Sequence, residues 1–468
     1  MLDNIFREYD IRGIVGTELI IEECYHLGQA IVSFLASKHP TSKTIIVGRD
    51  GRLHSTAIYE QITRAITDLG FDVIDVGVCP TPVVYFAVQH LGIETALMIT
   101  ASHNPGEYNG IKIWGVAGSQ IATIGKMFKE KNIIKPISPA PGMITSSSML
   151  EAYIEYLASL FPHLQNIQVN ALIDCGNGAG GIAMQPLIKR MGWQGATLLF
   201  GDVDGTFPNH EPDPTVAEHM HVMANELANN PSYAVGIGLD GDCDRMDPMT
   251  KEGLVVPGDH LLALFAGDVA KTNPGATVVC DIKSSGSLID VLNALGAQAC
   301  VAPSGHSHIK QSMKENKALL AGELSCHFFF HDRYFGYDDG IYAALRLIEL
   351  LHTSKRTLTQ LLSAIPQKVS SPEIRIACKS DGDKQGIVDN IKKVFATRTD
   401  LELITIDGIR AHMSYGWGLV RASNTQPVIC LRFESDSMAG LDRVKNDFYQ
   451  LLLPYFDEQL LRSKIELT

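Results

Sequence analysis

No run of about 18 consecutive apolar residues occurs in the chain, which excludes a helical membrane span. Residues 1–13 lack an apolar h-region and carry Asp3, Arg7, Glu8, Asp10 and Arg12, so no secretory signal is expected. Cysteine patterning is equally poor. The nine cysteines are scattered, odd in number and never spaced as C-x-x-C, so neither a disulfide framework nor a structural zinc site is expected. A reducing cytoplasm is the expected compartment. Positive charge is also scarce, with 39 Lys and Arg against 52 Asp and Glu and a net charge of −13. That balance argues against a nucleic-acid partner. It also means that an anionic ligand must be held by a local cluster of cations and N–H groups, because the global field repels it.

What remains is ordinary for a soluble enzyme: 45% apolar and 19% charged residues in 468. That length predicts roughly three to four domains at ~100–150 residues each. Apolar runs at 44–48, 71–78 and 95–100 alternate with helical periods at 56–69 and 82–91. This βαβαβ order predicts a mainly parallel sheet with helices packed on it. The pattern restarts with a strand at 169–174, a glycine loop at 176–181 and a helix at 183–191. A third block reads as strand 276–281, helix 284–295 and strand 297–302. The last hundred residues mix strands at 373–378 and 404–407 with helices at 384–396 and 438–453, a smaller α+β unit. Pro- and Gly-rich residues 135–142 and the stretch near 366–372 read as linkers. The expected fold is thus three similar α/β domains with mainly parallel mixed sheets, at 1–147, 148–252 and 253–366, plus an α+β domain at 367–468.

Four polar clusters stand out, and the first three follow apolar strands, where α/β folds place chemistry. The first, Thr100-Ala-Ser-His-Asn-Pro105, sets a hydroxyl beside an imidazole and a carboxamide. A helix-capping turn is its plainer reading. The second, Asp240-Gly-Asp-Cys-Asp-Arg245, has a carboxylate at every second residue. Such carboxylates repel one another unless a cation lies between them, and hard oxygen donors suit Mg²⁺ rather than zinc. An EF-hand is excluded, because its sixth and twelfth positions are Arg245 and Lys251 here. An acidic surface turn is the bland alternative. The third cluster, Gly322-Glu-Leu-Ser-Cys-His327, offers an acceptor, a hydroxyl and a ring to a polyhydroxylated ligand. The fourth, Arg421-Ala-Ser-Asn-Thr-Gln-Pro427, can cradle a phosphate or be merely a polar loop. Arg7, Arg12, Lys112, Lys283, His306 and Lys310 are further candidates, each weak alone.

Taken in order, these motifs resemble the α-D-phosphohexomutase superfamily, in particular its bacterial phosphomannomutase/phosphoglucomutase branch. The resemblance covers essentially the whole chain. It includes Phe6-Arg-Glu-Tyr-Asp-Ile-Arg-Gly13, Tyr108-Asn-Gly-Ile-Lys112 and Asp338-Asp-Gly-Ile-Tyr-Ala-Ala-Leu-Arg346 besides the four clusters. It implies four domains around a central cleft. It also implies interconversion of hexose 6-phosphates and 1-phosphates of mannose or glucose, through a phosphoserine at Ser102 and a sugar bisphosphate. By the same resemblance one Mg²⁺ per chain is held by Asp240, Asp242, Asp244 and the group on Ser102. Lys112, Arg12 and His327 are acid/base candidates, and His103, Asn104 and Arg245 attend the phosphoryl group. Glu323 and Ser325 face the sugar hydroxyls. Arg421, Ser423, Asn424 and Thr425 hold the unreactive phosphate, and Tyr9, Lys283 and His306 line the substrate site. No nucleic acid or membrane is an expected partner, and the chain is expected to be a monomer or weak oligomer.

Some positions depart from the family pattern. Cys243 and Cys326 replace glycines, and Gln426 replaces a glutamate. If the backbone at Cys243 has positive φ, its side chain costs about 1 kcal/mol or more. Met246-Asp-Pro248 replaces an apolar strand, where Pro248 is expected to weaken the ladder. Two alternatives stand beside the mutase. A phosphoglucosamine mutase is disfavoured by Leu324 and Asn424, and a weakened sugar-phosphate-binding paralogue by the retained Ser102, aspartates and Lys112.

Overall fold

The computed structural model describes residues 1–424 and 426–466. Two compact units are formed, one from 1–258 with 325–361 and the other from 259–324 with residues 362 onward.

The first unit holds two mixed sheets. One orders its strands Ile11–Ile14, Tyr108–Ile113, Ala96–Ile99, Thr44–Arg49, Asp72–Val78, Ile144–Ser146. Its first two pairings are antiparallel and the rest parallel. Ala96–Ile99 is buried at every residue, as expected for a strand covered on both faces. Helices Cys24–Lys38 and Ser55–Asp68 cover one face, where Leu27, Ile31, Ile58 and Ile62 meet Val47, Leu97 and Ile99. Each such side chain contributes about 1.5–3 kcal/mol on full burial. Helix Thr81–Leu91 begins after Pro80 with Pro82 in its first turn, where a missing N–H costs nothing, and ends at Gly92 with φ 67°.

The second sheet runs Met246–Thr250, Val235–Leu239, Ala171–Asp174, Ala196–Leu199, with only the first pair antiparallel. Two expectations are corrected here. Helix Gly180–Met191 starts inside the stretch read as a glycine loop. Gly181 is there for close approach, because a Cβ would lie 1.8 Å from the Gly201 carbonyl oxygen. Nor does Pro248 break its strand. Met246–Thr250 is the sheet edge, and the Pro248 carbonyl accepts from the Val256 N–H at 2.9 Å on the outer side. An antiparallel residue points N–H and C=O the same way, so the missing donor faces away from the ladder.

In the second unit, Gln298–Ala302, Thr277–Asp281 and Leu320–Gly322 pair in parallel. An antiparallel sheet follows, in the order Val369–Ser370, Val428–Ser435, Gly416–Ala422, Ile409–Met413, Glu402–Ile404, with Ile374–Ala377 also on Val428–Ser435. Helices Asp381–Ala396 and Met438–Leu452 bury Ile391, Val444 and Phe448 against Val420, Leu431 and Phe433. The strand expected at 404–407 ends at Ile404. Beyond it, Gly408 turns the chain at φ 71° and Asp407 is drawn off by Arg421.

Candidate active site

In the first unit the Ser102 loop follows Ala96–Ile99 directly. Ser102 Oγ donates to Asp240 Oδ2 at 2.9 Å and lies 3.2 Å from His103 Nδ1. Ser102 is held at φ 53°, a conformation costing a non-glycine residue about 1–2 kcal/mol. Its N–H donates to Thr100 Oγ1 at 2.9 Å. Gly241 allows the acidic loop to come this close, because a Cβ there would lie 2.5 Å from the Ser102 carbonyl oxygen.

Asp240, Asp242 and Asp244 are buried, and each offers an oxygen within 4.8 Å of the others. Lys112 Nζ donates to Asp242 Oδ2 at 2.7 Å and to Asp244 Oδ2. Burial opposes the Lys112 charge, but Asp242 and Asp244 outweigh it and raise its pKa well above the ordinary value. Burial together with Asp244 and Asp242 pushes the Asp240 carboxyl well up. For Asp244 burial works the same way, but Lys112 and His327 prevail and hold it well down. Lys112 pairs with Asp242 and Asp244, and Arg245 Nε lies 3.8 Å from Asp240 Oδ2. Asp242 Oδ1 and Asp244 Oδ1 are buried without a hydrogen-bond partner. Carboxylate oxygens of this kind fit a hard divalent cation.

Other expected residues collect around this triad. Arg245 closes the loop by donating its N–H to Asp240 Oδ1 at 3.2 Å. Its Nε donates to His327 Nε2 at 3.1 Å, and Ser325 Oγ lies 3.3 Å from His327 Nδ1. His327 Nε2 is 3.5 Å from Asp244 Oδ1. Burial, with Arg245 and Arg12 nearby, holds the His103 ring well below the usual imidazole range, hence neutral. Arg12 pairs with Asp10 and donates to Asn104 Oδ1, and Arg7 Nε donates to the Arg12 carbonyl at 3.2 Å. Tyr9 lies in the turn ahead of Ile11–Ile14. Cys243 and Cys326 both stand at φ 62°, so these two side chains do occupy left-handed backbone. The Cys243 carbonyl accepts from the Gly340 N–H at 2.9 Å and the Cys326 carbonyl from the Met246 N–H at 3.3 Å.

Several residues of this unit were not singled out from sequence. Thr81 Oγ1 donates to Asp242 Oδ2 at 2.6 Å, and Thr81 N–H to the Asp242 carbonyl at 2.8 Å. Buried Arg52 is anchored on Asp50, Nε to Oδ2 at 3.1 Å, beneath the Ser102 loop. Arg52 lies in a polar run that leaves a buried strand (Arg49-Asp-Gly-Arg52), the kind of signal the other clusters carry; Thr81 carries none.

The remaining expected residues belong to the second unit. Lys283 Nζ lies 3.2 Å from Glu373 Oε2 and 3.5 Å from Asp281 Oδ2. Burial opposes the charge of Glu373, yet Lys283 and Arg375 bring its pKa down to about 2. Glu323 Oε1 accepts from the Gly305 N–H at 2.7 Å, and His306 opens the helix that follows. Arg421 Nε donates to Asp407 Oδ2 at 2.8 Å, which also accepts from the Ser304 N–H at 3.1 Å. Asn424 Nδ2 reaches the Ser304 carbonyl at 3.4 Å, and Ser423 Oγ accepts from the Gln426 N–H at 3.3 Å. Thr425 lies outside the described residues. Three basic residues here were missed. Arg410 donates to the Ile282 and Ser284 carbonyls at 2.9 and 2.7 Å, and Arg432 to the Lys283 carbonyl at 2.7 Å. Lys384 Nζ donates to the Ser423 carbonyl at 2.6 Å and so braces the loop expected to cradle phosphate.

Four family profiles match this chain in succession. They are described as Phosphoglucomutase/phosphomannomutase, alpha/beta/alpha domain I over residues 3–131, domain II over 151–253, domain III over 257–369, and the C-terminal domain over 373–451. The chain belongs to the phosphoglucomutase/phosphomannomutase family. Curated members of the phosphoglucomutase/phosphomannomutase family resemble it end to end. The phosphomannomutase/phosphoglucomutase of Pseudomonas putida is 40% identical over 456 residues, 96% of each chain. A phosphoglucomutase of Neisseria meningitidis serogroup A is 38% identical over 449 residues, 95% of this chain and 96% of that one. Among solved structures, a phosphoglucomutase/phosphomannomutase family protein from Burkholderia thailandensis superposes with a TM-score of 0.88 at 32% identity, covering 97% of this chain and 98% of its own. The four-domain α/β architecture of the family is therefore that of this chain, whose described residues form four sheets. All nine cysteines of this family member are free thiols, and among the described residues no helix is long and apolar enough to cross a membrane.

Proposed function

We propose that this chain is an intramolecular phosphotransferase that interconverts hexose 6-phosphate and hexose 1-phosphate, of mannose, glucose or both, through a phosphoserine at Ser102. The observation that carries the reading is Ser102 Oγ at 2.9 Å from Asp240 Oδ2, at the edge of a three-carboxylate cluster that Lys112 enters. Curated relatives named for this activity over 95% or more of the chain support it.

In this reading Ser102 Oγ carries the phosphoryl group in the resting enzyme. A sugar hydroxyl attacks phosphorus and the P–Oγ bond breaks; the hydroxyl gives up its proton and Ser102 Oγ gains one as it leaves, with His327, Lys112 and Arg12 as the acid/base candidates. The resulting sugar bisphosphate turns over and returns its other phosphoryl group to Ser102. Asp240, Asp242 and Asp244 would hold one Mg²⁺, which supplies positive charge against the phosphoryl oxygens. With Arg245 Nε donating to its Nε2, His327 carries a proton on Nδ1, beside Ser325 Oγ, and can give it up as an acid. Neutral His103 and Arg245 orient the phosphoryl group. Such transfer demands positioning and charge stabilisation rather than new covalent machinery.

Arg421, Ser423, Asn424 and Thr425 hold the phosphate that is not reacting, Glu323 and Ser325 take sugar hydroxyls, and Lys283, His306 and Tyr9 are further substrate-binding residues. The domains are those at 1–147, 148–252, 253–366 and 367–468. The chain works as a monomer or weak oligomer in the cytoplasm, consistent with its free thiols.

The test is a coupled assay against the 1-phosphates of mannose, glucose and glucosamine with catalytic sugar bisphosphate, alongside intact mass. Turnover of mannose or glucose phosphate and a phosphorylated Ser102 are expected. Ser102→Ala should abolish turnover yet bind sugar phosphate. Undiminished turnover by that variant defeats the phosphoserine mechanism.

A further inference from the structure

Arg52 is a buried cation with no place in the mechanism above. It is 3% exposed, and its donors are spent almost entirely on one loop. Nη2 donates to the Ser102 carbonyl at 2.7 Å and the Asn104 carbonyl at 2.6 Å. Nη1 donates to the Pro105 carbonyl at 2.7 Å and the Tyr108 carbonyl at 3.1 Å. Nε goes to Asp50 Oδ2, while Asp50 Oδ1 takes the Arg52 N–H at 3.1 Å and the Ser55 hydroxyl at 2.6 Å. The Phe207 ring covers the guanidinium at 5.0 Å.

Four carbonyls converging on one planar fork dictate the orientation of their peptides. In a trans peptide the C=O of one residue and the N–H of the next point in opposite directions. With the Ser102 carbonyl on Arg52, the His103 N–H must face away from it, and it meets no acceptor among the described residues. The same clamp holds Ser102 at positive φ, where its Oγ meets Asp240. Left-handed backbone at a non-glycine residue persists only where its surroundings over-determine it.

We propose that Arg52 is a positioning residue for phosphoryl transfer. It turns the Ser102–His103 peptide so that Ser102 Oγ faces the acidic triad and the His103 N–H is left to donate to a phosphoryl oxygen. This rests on the phosphoserine reading of Ser102. A lysine cannot replace the fork, because its three donors on one point cannot span four carbonyls.

The test compares wild type with Arg52→Lys, Arg52→Met and the milder Asp50→Asn. It measures Ser102 phosphorylation by glucose 1,6-bisphosphate from rapid-quench intact mass, kcat and KM per folded molecule, and the ³¹P shift of the phosphoserine. Expected are a fall in phosphorylation rate and kcat of roughly tenfold or more in Arg52→Met, with partial rescue in Arg52→Lys and a smaller loss in Asp50→Asn. KM should stay within about threefold, and the ³¹P resonance should move as a phosphoryl hydrogen bond weakens. A merely structural Arg52 would lower the melting temperature and leave these readouts unchanged. Rates within about twofold of wild type in the folded variants overturn the proposal, and Asp50→Asn alone decides if the Arg52 variants do not fold. A wild type that takes up no phosphoryl group overturns the mutase reading and Arg52's role with it. A competent wild type with unaffected variants overturns the Arg52 role alone.

Discussion

Thr81 Oγ1 donates a 2.6 Å hydrogen bond to Asp242 Oδ2, which ties the first turn of helix Thr81–Leu91 to the acidic loop of the neighbouring sheet. The adjacent backbone bond, Thr81 N–H to the Asp242 carbonyl, fixes the same junction. A loop of three buried carboxylates is thus oriented partly by a helix from another domain. Thr81→Val keeps the side-chain shape and removes the donor. It should lower Mg²⁺ affinity by roughly tenfold, as loss of such outer partners does at metal sites, and destabilise the fold by about 1–3 kcal/mol. Isothermal titration calorimetry and urea melts measure the two effects. Unchanged Mg²⁺ affinity would separate Thr81 from the cation site.

Removing divalent cations should stop turnover without unfolding the chain, because Lys112 already compensates part of the triad. A ligand that binds only the folded state raises its stability by mass action. The melting temperature is therefore expected to be higher in Mg²⁺ than in chelator, and Asp242→Asn should abolish that difference. Equal melting curves for wild type in both buffers would remove the triad from the metal role.

Cys243 at φ 62° offers a direct test of backbone strain. In Cys243→Gly, relief of about 1–2 kcal/mol is offset by the lost burial of a thiol and by a more flexible unfolded chain, so stability should change by about 1 kcal/mol or less. Cys243→Val is different, because a β-branched residue is a genuine outlier at positive φ. A loss of about 2 kcal/mol or more is expected. Denaturant unfolding of the two variants decides, and a stable Cys243→Val would place that residue elsewhere on the Ramachandran map.

Asp247 should make stability depend on pH. Burial raises its carboxyl to about 7, with Asp213 adding to the shift and Cys326, Arg245 and His327 opposing it. A carboxyl raised in the folded state holds its proton more tightly there than when unfolded. Its contribution is therefore full below the ordinary carboxylate pKa and lost as pH rises from about 4 through about 7. Asp247→Asn should flatten that slope and leave the variant more stable than wild type at pH 8, on the order of 2 kcal/mol. Parallel stability–pH curves for the two proteins would show that Asp247 titrates normally.

Much of this was legible from residues alone. Strands such as Ala96–Ile99 announce themselves as short apolar runs, and the acidic loop as carboxylates at alternate positions. These are local signals, carried by neighbours in the chain. Boundaries were less legible where glycine or proline had two meanings. Gly181 reads as a flexible loop but makes room for the Gly201 carbonyl, and Pro248 reads as a strand breaker but lies at a sheet edge. Gly408 and Asp407 end a strand that apolar character alone would have continued.

The residues proposed as reactive (Ser102, the three aspartates, Lys112, His327) were picked out in the sequence, because the order of their motifs along the chain resembles the family pattern. Their arrangement was decided by tertiary structure. Arg52 is 50 residues from Ser102 in the chain and Thr81 is 161 from Asp242, and no local pattern encodes either contact. Such contacts arise when buried strands and helices bring their ends together. A polar group so enclosed must find a partner or bear the full cost of its lost hydration.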